Sequence, residues 1–449
     1  MTAYLGFDPT SAVSGLLGNL ADSSWREWMP LGVAGVLVWG LWLYRWTLSR
    51  GYRPTLNTFR TTTSVVVPSF REDVDVLLAC LTTWLDQDPS EIIVVPDLAD
   101  TAVIEGLSRV RDPRLRVIPF EHRGKRSALG VGIRAARGEV LVLTDSDTRW
   151  EPGLLEAVQM PFADITVGAV STKQNVYQRW SSIWRVVADW IIDLRYYDYV
   201  PAMARRGGVI CVSGRTAAYR RSVVMSVLPH LEHEFFLGKR CVAGDDGRLT
   251  WLVLASGYRT TYQGNARALS MFPTSFRAFC KQRVRWSRNS YRTYLTAAWQ
   301  GWLWRVPFIS KVTVLQILLT PLTMGMALGY LVGSRSEATW ASAGLAATWL
   351  MGGRLVRSAS HLVRRPLDLF LLPLVTLVVI FVSLPIKAYA LVTMNKQGWL
   401  TRAADRQGAD GQTFDTLAPE ALAPPALAPA LRGPAVHRPA AAFSGAGRA

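Results

Sequence analysis

The sequence is poor in cysteine, histidine and lysine. Four cysteines, Cys80, Cys211, Cys241 and Cys280, stand among 449 residues. None forms a CxxC pair, and none of the five histidines stands at metal-ligand spacing from them. That excludes a zinc ribbon and argues against a disulfide framework, so reduced cytosolic thiols are expected. Only seven of the 50 basic residues are lysine, and the rest are arginine. Guanidinium forks suit phosphate, but a GC-rich genome produces the same bias. Acidic residues number 33, which leaves a net charge of +17. Such a balance points to an anionic partner: nucleic acid, anionic lipid or a phosphorylated substrate. The charge is spread along the chain, with no basic arm and no nucleic-acid module, so no nucleic-acid partner is expected.

Apolar residues, by contrast, are abundant. Half the chain is hydrophobic and 18 residues are tryptophan. This is too apolar for an ordinary soluble enzyme and too charged for a chain that lies in membrane throughout. Residues 29–48 form one apolar run. At about 1.5 Å per residue it is long enough to span a hydrocarbon core of about 30 Å. Asp8, Asp22 and Glu27 precede it and no small-residue cleavage site follows, which argues against a signal peptide. Arg45, Arg50, Arg53 and Arg60 lie at its far end, so residues 1–28 are expected outside and the chain after residue 50 in the cytoplasm.

From 60 to 270 the pattern alternates between short buried strands (TSVVVP, EIIVVP, LRVIPF, EVLVLTD, GAVST) and amphipathic helices over 73–86, 101–110 and 126–136. That alternation predicts a mostly parallel α/β sheet, with ligands bound at the carboxyl ends of its strands, near Ser69, Asp97 and Asp145. Two stretches, 176–199 and 275–304, are rich in both tryptophan and arginine. The first reads equally as interfacial or as packed on the sheet. The second, within 271–306, is expected at a bilayer surface. A C-terminal membrane region is expected over 308–394, built from apolar stretches 308–333, 338–353 and 367–394; Pro373 and Pro385 permit a broken helix in the last. Residues 403–449 are rich in alanine and proline and read as a disordered tail.

The run 123–151 is the most informative for chemistry. A strand ends in Asp145-Ser146-Asp147. An Asp-x-Asp at a strand end can hold Mg²⁺ or Mn²⁺, because these hard cations take one or two carboxylates plus phosphate oxygens. Lys125 and Arg126 open a helix whose N-terminus can face the same crevice and neutralise a diphosphate. Asp245 and Asp246 precede the apolar helical run LTWLVLAS. They read as an N-cap pair, or as a carboxylate that deprotonates an acceptor hydroxyl, and the two roles are compatible. Gln282, Arg285 and Trp286 share one helix face, which suits gripping a sugar or nucleotide or anchoring at an interface.

Taken together, VVVPSFRED (65–73), GKRSAL (124–129), TDSDT (144–148), VSGRTAAYRR (212–221), GDDGRLT (244–250) and KQRVRW (281–286) resemble the processive family 2 glycosyltransferases. Hyaluronan synthases, chitin-oligosaccharide synthases and cellulose synthases are the relevant members. The resemblance implies a Rossmann-like nucleotide-diphospho-sugar transferase domain of GT-A type, flanked by transmembrane and interfacial helices. It implies Asp97 near the uridine, Lys125 on the phosphates, Asp145 and Asp147 as the metal pair and Asp246 as general base. It places Asp245, Ser213, Gly214, Gln282 and Trp286 toward the acceptor, and Arg285 and Arg402 toward the diphosphate. Departures are Leu98-Ala99 after Asp97, Arg215 after the Ser-Gly turn and Leu400 in the late Trp-Leu-Thr-Arg element. Four full crossings that start outside would put Arg402 outside, away from any nucleotide.

The function so implied is an inverting, processive transfer from a nucleotide-diphospho-sugar, a UDP-sugar by resemblance, into an exported polysaccharide. The enzyme is expected as a multi-pass plasma-membrane protein with a cytoplasmic catalytic domain. Addition of one or a few sugars to a lipid or short acceptor is the alternative. A non-catalytic transport or assembly role is a weaker one.

Overall fold

Strand β1 (Thr63–Ser69), β2 (Glu91–Pro96) and β4 (Val140–Thr144) have every residue buried. They are the apolar runs that the sequence bounds with Pro, Asp or Thr, and they pack between helices on both faces. The computed structural model describes residues 32–121, 123–333 and 340–396. The expected N-terminal segment 1–28, the tail 403–449 and the Trp399–Arg402 element lie outside the described residues. The eight-stranded sheet has the order β3-β2-β1-β4-β7-β6-β10-β5. Its further members are β3 (Leu115–Val117), β5 (Thr148–Trp150), β6 (Val167–Val176), β7 (Thr216–Arg220) and β10 (Arg259–Ser270). A two-residue ribbon, β8 (Phe235–Phe236) with β9 (Lys239–Arg240), stands apart. Strands β3, β2, β1 and β4 run parallel, and β7 is antiparallel to both β4 and β6.

Successive strand residues alternate between two cores, as a pleated strand requires. Val66, Ile93, Leu141 and Leu143 face one; Val65, Val67, Ile92 and Val142 face the other. The helix Val74–Leu85 covers the second face with Leu77, Leu81 and Trp84. Asp73 caps it by accepting from the Asp75 and Val76 amides. The helix Lys125–Ala135 covers the first face with Leu129 and Ile133. A Cβ at Gly132 would lie 2.4 Å from Val66 Cγ1, so glycine lets this helix close onto β1.

The N-terminus of that helix is pinned from inside the domain. Arg126 is 3% exposed and does not face the crevice as the sequence suggested. Its Nη1 donates to Glu234 Oε2 at 2.5 Å and its Nη2 to the Gly244 carbonyl at 3.2 Å. Arg248 Nε lies 3.2 Å from the other Glu234 oxygen. Burial pushes the Glu234 carboxyl up, but the two guanidiniums outweigh it and hold it below its ordinary range.

The first Trp/Arg stretch takes the packed alternative. The helix Ile183–Leu194 buries Trp190 fully, and its indole donates to Ser358 Oγ at 2.9 Å. A π-turn, Arg195–Tyr199, follows it. The second stretch forms the helix Phe276–Trp299, which packs against the helices Leu384–Val392 and Asp245–Ala255. Among the described residues, two segments are long and apolar enough to cross a membrane, 308–325 and 366–392. The first apolar run is helical over Gly32–Arg50, and another helix covers Trp340–Arg357. Both fall short of that standard, because Trp, Tyr, Gly and Arg dilute their apolar residues. The segment from 366 is broken, as its prolines allow. It passes from a 3₁₀ turn (Pro366–Leu371) through Leu372–Leu377 and a π-turn (Val378–Ser383) to Leu384–Val392.

A buried charge cluster joins this C-terminal part to the sheet domain. His361 Nδ1 lies 2.9 Å from Asp193 Oδ2, and its Nε2 lies 2.8 Å from Asp368 Oδ2. Arg179 also binds Asp368, and its Nε lies 2.9 Å from Asp189 Oδ2 without hydrogen-bond alignment. Arg365 Nη1 reaches Asp189 at 3.3 Å. Burial and the Asp193 charge push the Asp189 carboxyl up to about 6, against the pull of Arg365 and Arg179. Asp189, Asp193 and His361 offer ligand-type atoms within 4.8 Å of one another, but Arg179 and Arg365 already lie against the carboxylates and both ring nitrogens of His361 already face Asp193 and Asp368.

Removing one partner from a buried ion cluster costs about 3–5 kcal/mol. His361→Ala is therefore expected to lower unfolding stability by that order, read from denaturant melts of the purified protein; wild-type stability would contradict the cluster's role. For Glu234 the sign follows from its depressed carboxyl. Its contribution is present above the ordinary value of 4.5 and is lost as pH falls through its lower native value. In Arg126→Gln the native value rises toward the ordinary one, so the protein should be less stable at neutral pH and lose less melting temperature on acidification than wild type. Identical profiles for the two proteins would contradict the assignment.

Candidate active site

The carboxyl end of β4 carries Asp145, and Asp145 begins a chain of contacts across the molecule. Lys125 Nζ lies 2.8 Å from Asp145 Oδ1 and 3.1 Å from Asp245 Oδ2. Burial opposes the lysine's charge, yet Asp145 and Asp245 outweigh it and hold its pKa above the ordinary range. Burial raises the Asp145 carboxyl; Lys125 pulls it down and the Asp147 charge pushes it further up. Asp145 and Asp147 therefore repel each other in a partly buried place, which a divalent cation would relieve. Their hard oxygens are the donors such a cation takes.

Two glycines set this junction. Gly124, with φ +112°, caps the Lys125 helix, and a Cβ there would lie 2.9 Å from Val242 Cβ. Gly244, with φ +75°, caps the helix Asp245–Ala255. The cap is thus this glycine and not the aspartate pair expected from the sequence. Asp245 and Asp246 fall in the first helical turn, where the helix dipole favours negative charge. Asp246 Oδ1 accepts from the Gly247 amide at 2.8 Å, and its Oδ2 accepts from the Gly214 amide at 3.3 Å. A Cβ on Gly214 would sit 3.3 Å from both Asp245 Oδ2 and Asp246 Cβ, so Ser213-Gly214 forms a close wall beside the carboxylates. The same turn is tied to β4, because Thr144 Oγ1 donates to the Arg215 carbonyl at 2.7 Å.

These groups line a cavity of about 240 Å³. Lys125, Asp145, Asp147, Ser213, Gly214, Asp245, Asp246, Gln282, Arg285 and Trp286 all border it. The last three come from one face of the helix Phe276–Trp299, continued by Asn289 and Thr293 on successive turns. Gln282 Oε1 is buried without a hydrogen-bond partner, which leaves an acceptor turned to whatever fills the space. Arg215 stands with its Cζ 3.8 Å from the Phe272 ring centroid and 5.2 Å from that of Trp286. Burial lowers the Arg215 pKa, while Asp147 and Asp145 raise it. Cys211 also borders the cavity, with its thiol pushed up to about 12 by burial and by the Asp246 charge. That thiol is no nucleophile at neutral pH.

Two expected site residues are not brought in. Asp97 lies at the end of β2, where its amide donates to the Ser69 carbonyl at 3.1 Å and its Oδ1 accepts from Ala99. It does not line the cavity. Arg402 lies outside the described residues. Sequence reasoning missed Glu72, which accepts from Ser146 Oγ at 2.9 Å, and also Arg195, Tyr196 and Asn289. Glu72 stands inside the quoted VVVPSFRED run and was within reach. Arg195 and Tyr196 carry no local signal, since a π-turn places them.

Comparison with known proteins places this arrangement. Residues 60–289 match the family described as glycosyltransferase like family 2. An N-acetylglucosaminyltransferase of Rhizobium meliloti is 32% identical over 363 residues, covering 75% of this chain and 80% of the relative. A hyaluronan synthase of Streptococcus pyogenes is 27% identical, covering 83% and 91%. A mannosyltransferase of Pyrobaculum calidifontis, solved with GDP-Man and Mn²⁺, shares the fold with a TM-score of 0.57 at 21% identity, over 82% of this chain and 98% of that one. This chain belongs to glycosyltransferase family 2, has a GT-A-like fold and is a glycosyltransferase.

Proposed function

We propose that the enzyme transfers a sugar, with inversion, from a nucleotide-diphospho-sugar to a hydroxyl of a growing polysaccharide. The observation that carries this reading is the convergence of Lys125, Asp145, Asp147, Asp245 and Asp246 on one cavity roofed by Gln282, Arg285 and Trp286. The N-acetylglucosaminyltransferase and hyaluronan synthase relatives favour a UDP-sugar and a polymeric product.

Asp145 and Asp147 would hold Mg²⁺ or Mn²⁺; the structural neighbour was solved with Mn²⁺. Bound there, the ion supplies positive charge to the diphosphate. Lys125 supplies a second, fixed positive charge from the chain itself, already aimed by Asp145 and Asp245. The donor diphosphate lies against Lys125, with Arg285 on the opposite wall. Gln282 Oε1 accepts a hydroxyl hydrogen of the acceptor sugar, and Trp286 offers a face for its ring. Asp246 takes the proton of the attacking hydroxyl, whose oxygen bonds to the anomeric carbon. The bond from that carbon to the diphosphate oxygen breaks, and the nucleoside diphosphate leaves with the electron pair. No covalent sugar intermediate forms. Asp97 is assigned to the base, which then extends beyond the cavity along the end of β2, and Arg402 is assigned to the diphosphate by resemblance alone.

The same reading sets the enzyme in the plasma membrane with its catalytic domain, 60–270, in the cytoplasm. Residues 29–48 and the 308–394 region anchor it, and 271–306 lies along the surface. The apolar segments 308–325 and 366–392 and the exposed Trp299, Trp304 and Phe308 support that placement.

Asp246→Asn is expected to reduce transfer by about 10²–10⁴-fold while UDP binding is retained. Membranes carrying the variant, incubated with a panel of labelled nucleotide sugars, provide the measurement; wild-type turnover would refute the base. Chelation by EDTA should abolish transfer, and added Mn²⁺ or Mg²⁺ should restore it. Full activity in EDTA would exclude the Asp145–Asp147 ion site.

A further inference from the structure

A second cavity, about 100 Å³, lies where the helices Gly32–Arg50 and Trp340–Arg357 meet the π-turn Arg195–Tyr199. Three guanidiniums line it, those of Arg45, Arg354 and Arg357. Arg45 is 3% exposed; its Nη2 donates to Gln316 Oε1, and its Cζ stacks 4.1 Å over the Tyr199 ring. The Nε atoms of all three arginines are buried without a hydrogen-bond partner. Among the described residues lining the space, Asp198 alone is acidic. It accepts from Ser360 Oγ at 2.5 Å and is shared electrostatically with Arg50 and Arg364 as well as Arg45. Three positive groups against one carboxylate leave two charges in excess around this partly open space.

Such an arrangement is costly when empty. Each buried donor without a partner disfavours the unliganded site. A phosphate oxyanion supplies several acceptor oxygens at once and fits guanidinium forks. The position selects among phosphates. The cavity sits at the ends of two apolar helices, and Trp42 and Trp46 line it as indoles do at a headgroup boundary. Basic pockets between membrane helices on the cytoplasmic side suit lipid headgroups.

We propose that this cavity binds the phosphate of an anionic phospholipid headgroup. The inference rests on the bilayer placement given above, but on none of the catalytic roles. It also links the lipid to the transferase, since Arg195 and Tyr196 of the shared π-turn line the catalytic cavity while Asp198 and Tyr199 line this one.

The test uses the full-length protein in nanodiscs of phosphatidylcholine alone or mixed with phosphatidylglycerol. Binding of fluorescent phosphatidylglycerol and the melting temperature are read for wild type, Arg357→Gln and the triple variant R45Q/R354Q/R357Q. Wild type should bind the anionic lipid and melt higher with it. Arg357→Gln should weaken binding at least about tenfold, one charge-assisted contact; this variant carries the test if the triple one fails to fold. Asp246→Asn should bind lipid as wild type does, which separates this site from the catalytic reading. Equal lipid binding by wild type and Arg357→Gln overturns the proposal. So does displacement of the lipid by millimolar inorganic phosphate, which would mark a site for soluble phosphate.

Discussion

One partly buried lysine holds the candidate active site of this protein together. Lys125 sits between Asp145 from the end of β4 and Asp245 from a helix a hundred residues later, within 2.8 and 3.1 Å of the two. Without it, Asp145, Asp147 and Asp245 would face one another in a place that burial makes hostile to charge. With it, they form an acidic site that tolerates its own crowding and still has charge left for a cation. The surrounding fold serves this junction. Gly124 and Gly244 give the two helix starts their left-handed turns, and Arg126 ties both to Glu234 from behind.

Much of this was legible in the sequence, for physical reasons. Strands β1, β2 and β4 carry short, nearly continuous apolar runs (VVVP, IIVVP and VLVL), which a doubly covered sheet buries. β7 and β10, TAAYR and RTTYQGNARALS, lack such a run and owe their place to neighbours in the sheet. Ten of the twelve expected site residues border one cavity, because each motif stands at a strand end or on one helix face. The misplacement of Arg126 is equally instructive. Adjacent residues on a helix point about 100° apart, so only one of Lys125 and Arg126 can face the crevice. Nothing local says which. Likewise Asp245 and Asp246 looked like caps, but a glycine before them with positive φ takes that position.

The connection between the catalytic domain and the C-terminal helices had no sequence signature at all. His361 meets Asp193 across 168 residues, and Arg179 meets Asp368 across 189. Both Asp193 and Asp189 come from the helix Ile183–Leu194, which ends in the π-turn shared by the two cavities. The segment 183–199 therefore carries three things: a wall of the catalytic cavity, the buried ionic joint, and one side of the arginine-lined pocket. A shift of the apolar helices can reach the cavity through this segment, and also through the helix Phe276–Trp299, which lines the cavity and packs on Leu384–Val392.

The most direct test is an experimental structure of the protein with uridine diphosphate and Mn²⁺. The account predicts the ion on the carboxylates of Asp145 and Asp147 and the diphosphate against Lys125, beneath the Gln282–Trp286 face. A nucleotide bound away from that cavity, with Lys125 still clasped between its two aspartates and no ion beside them, would contradict it.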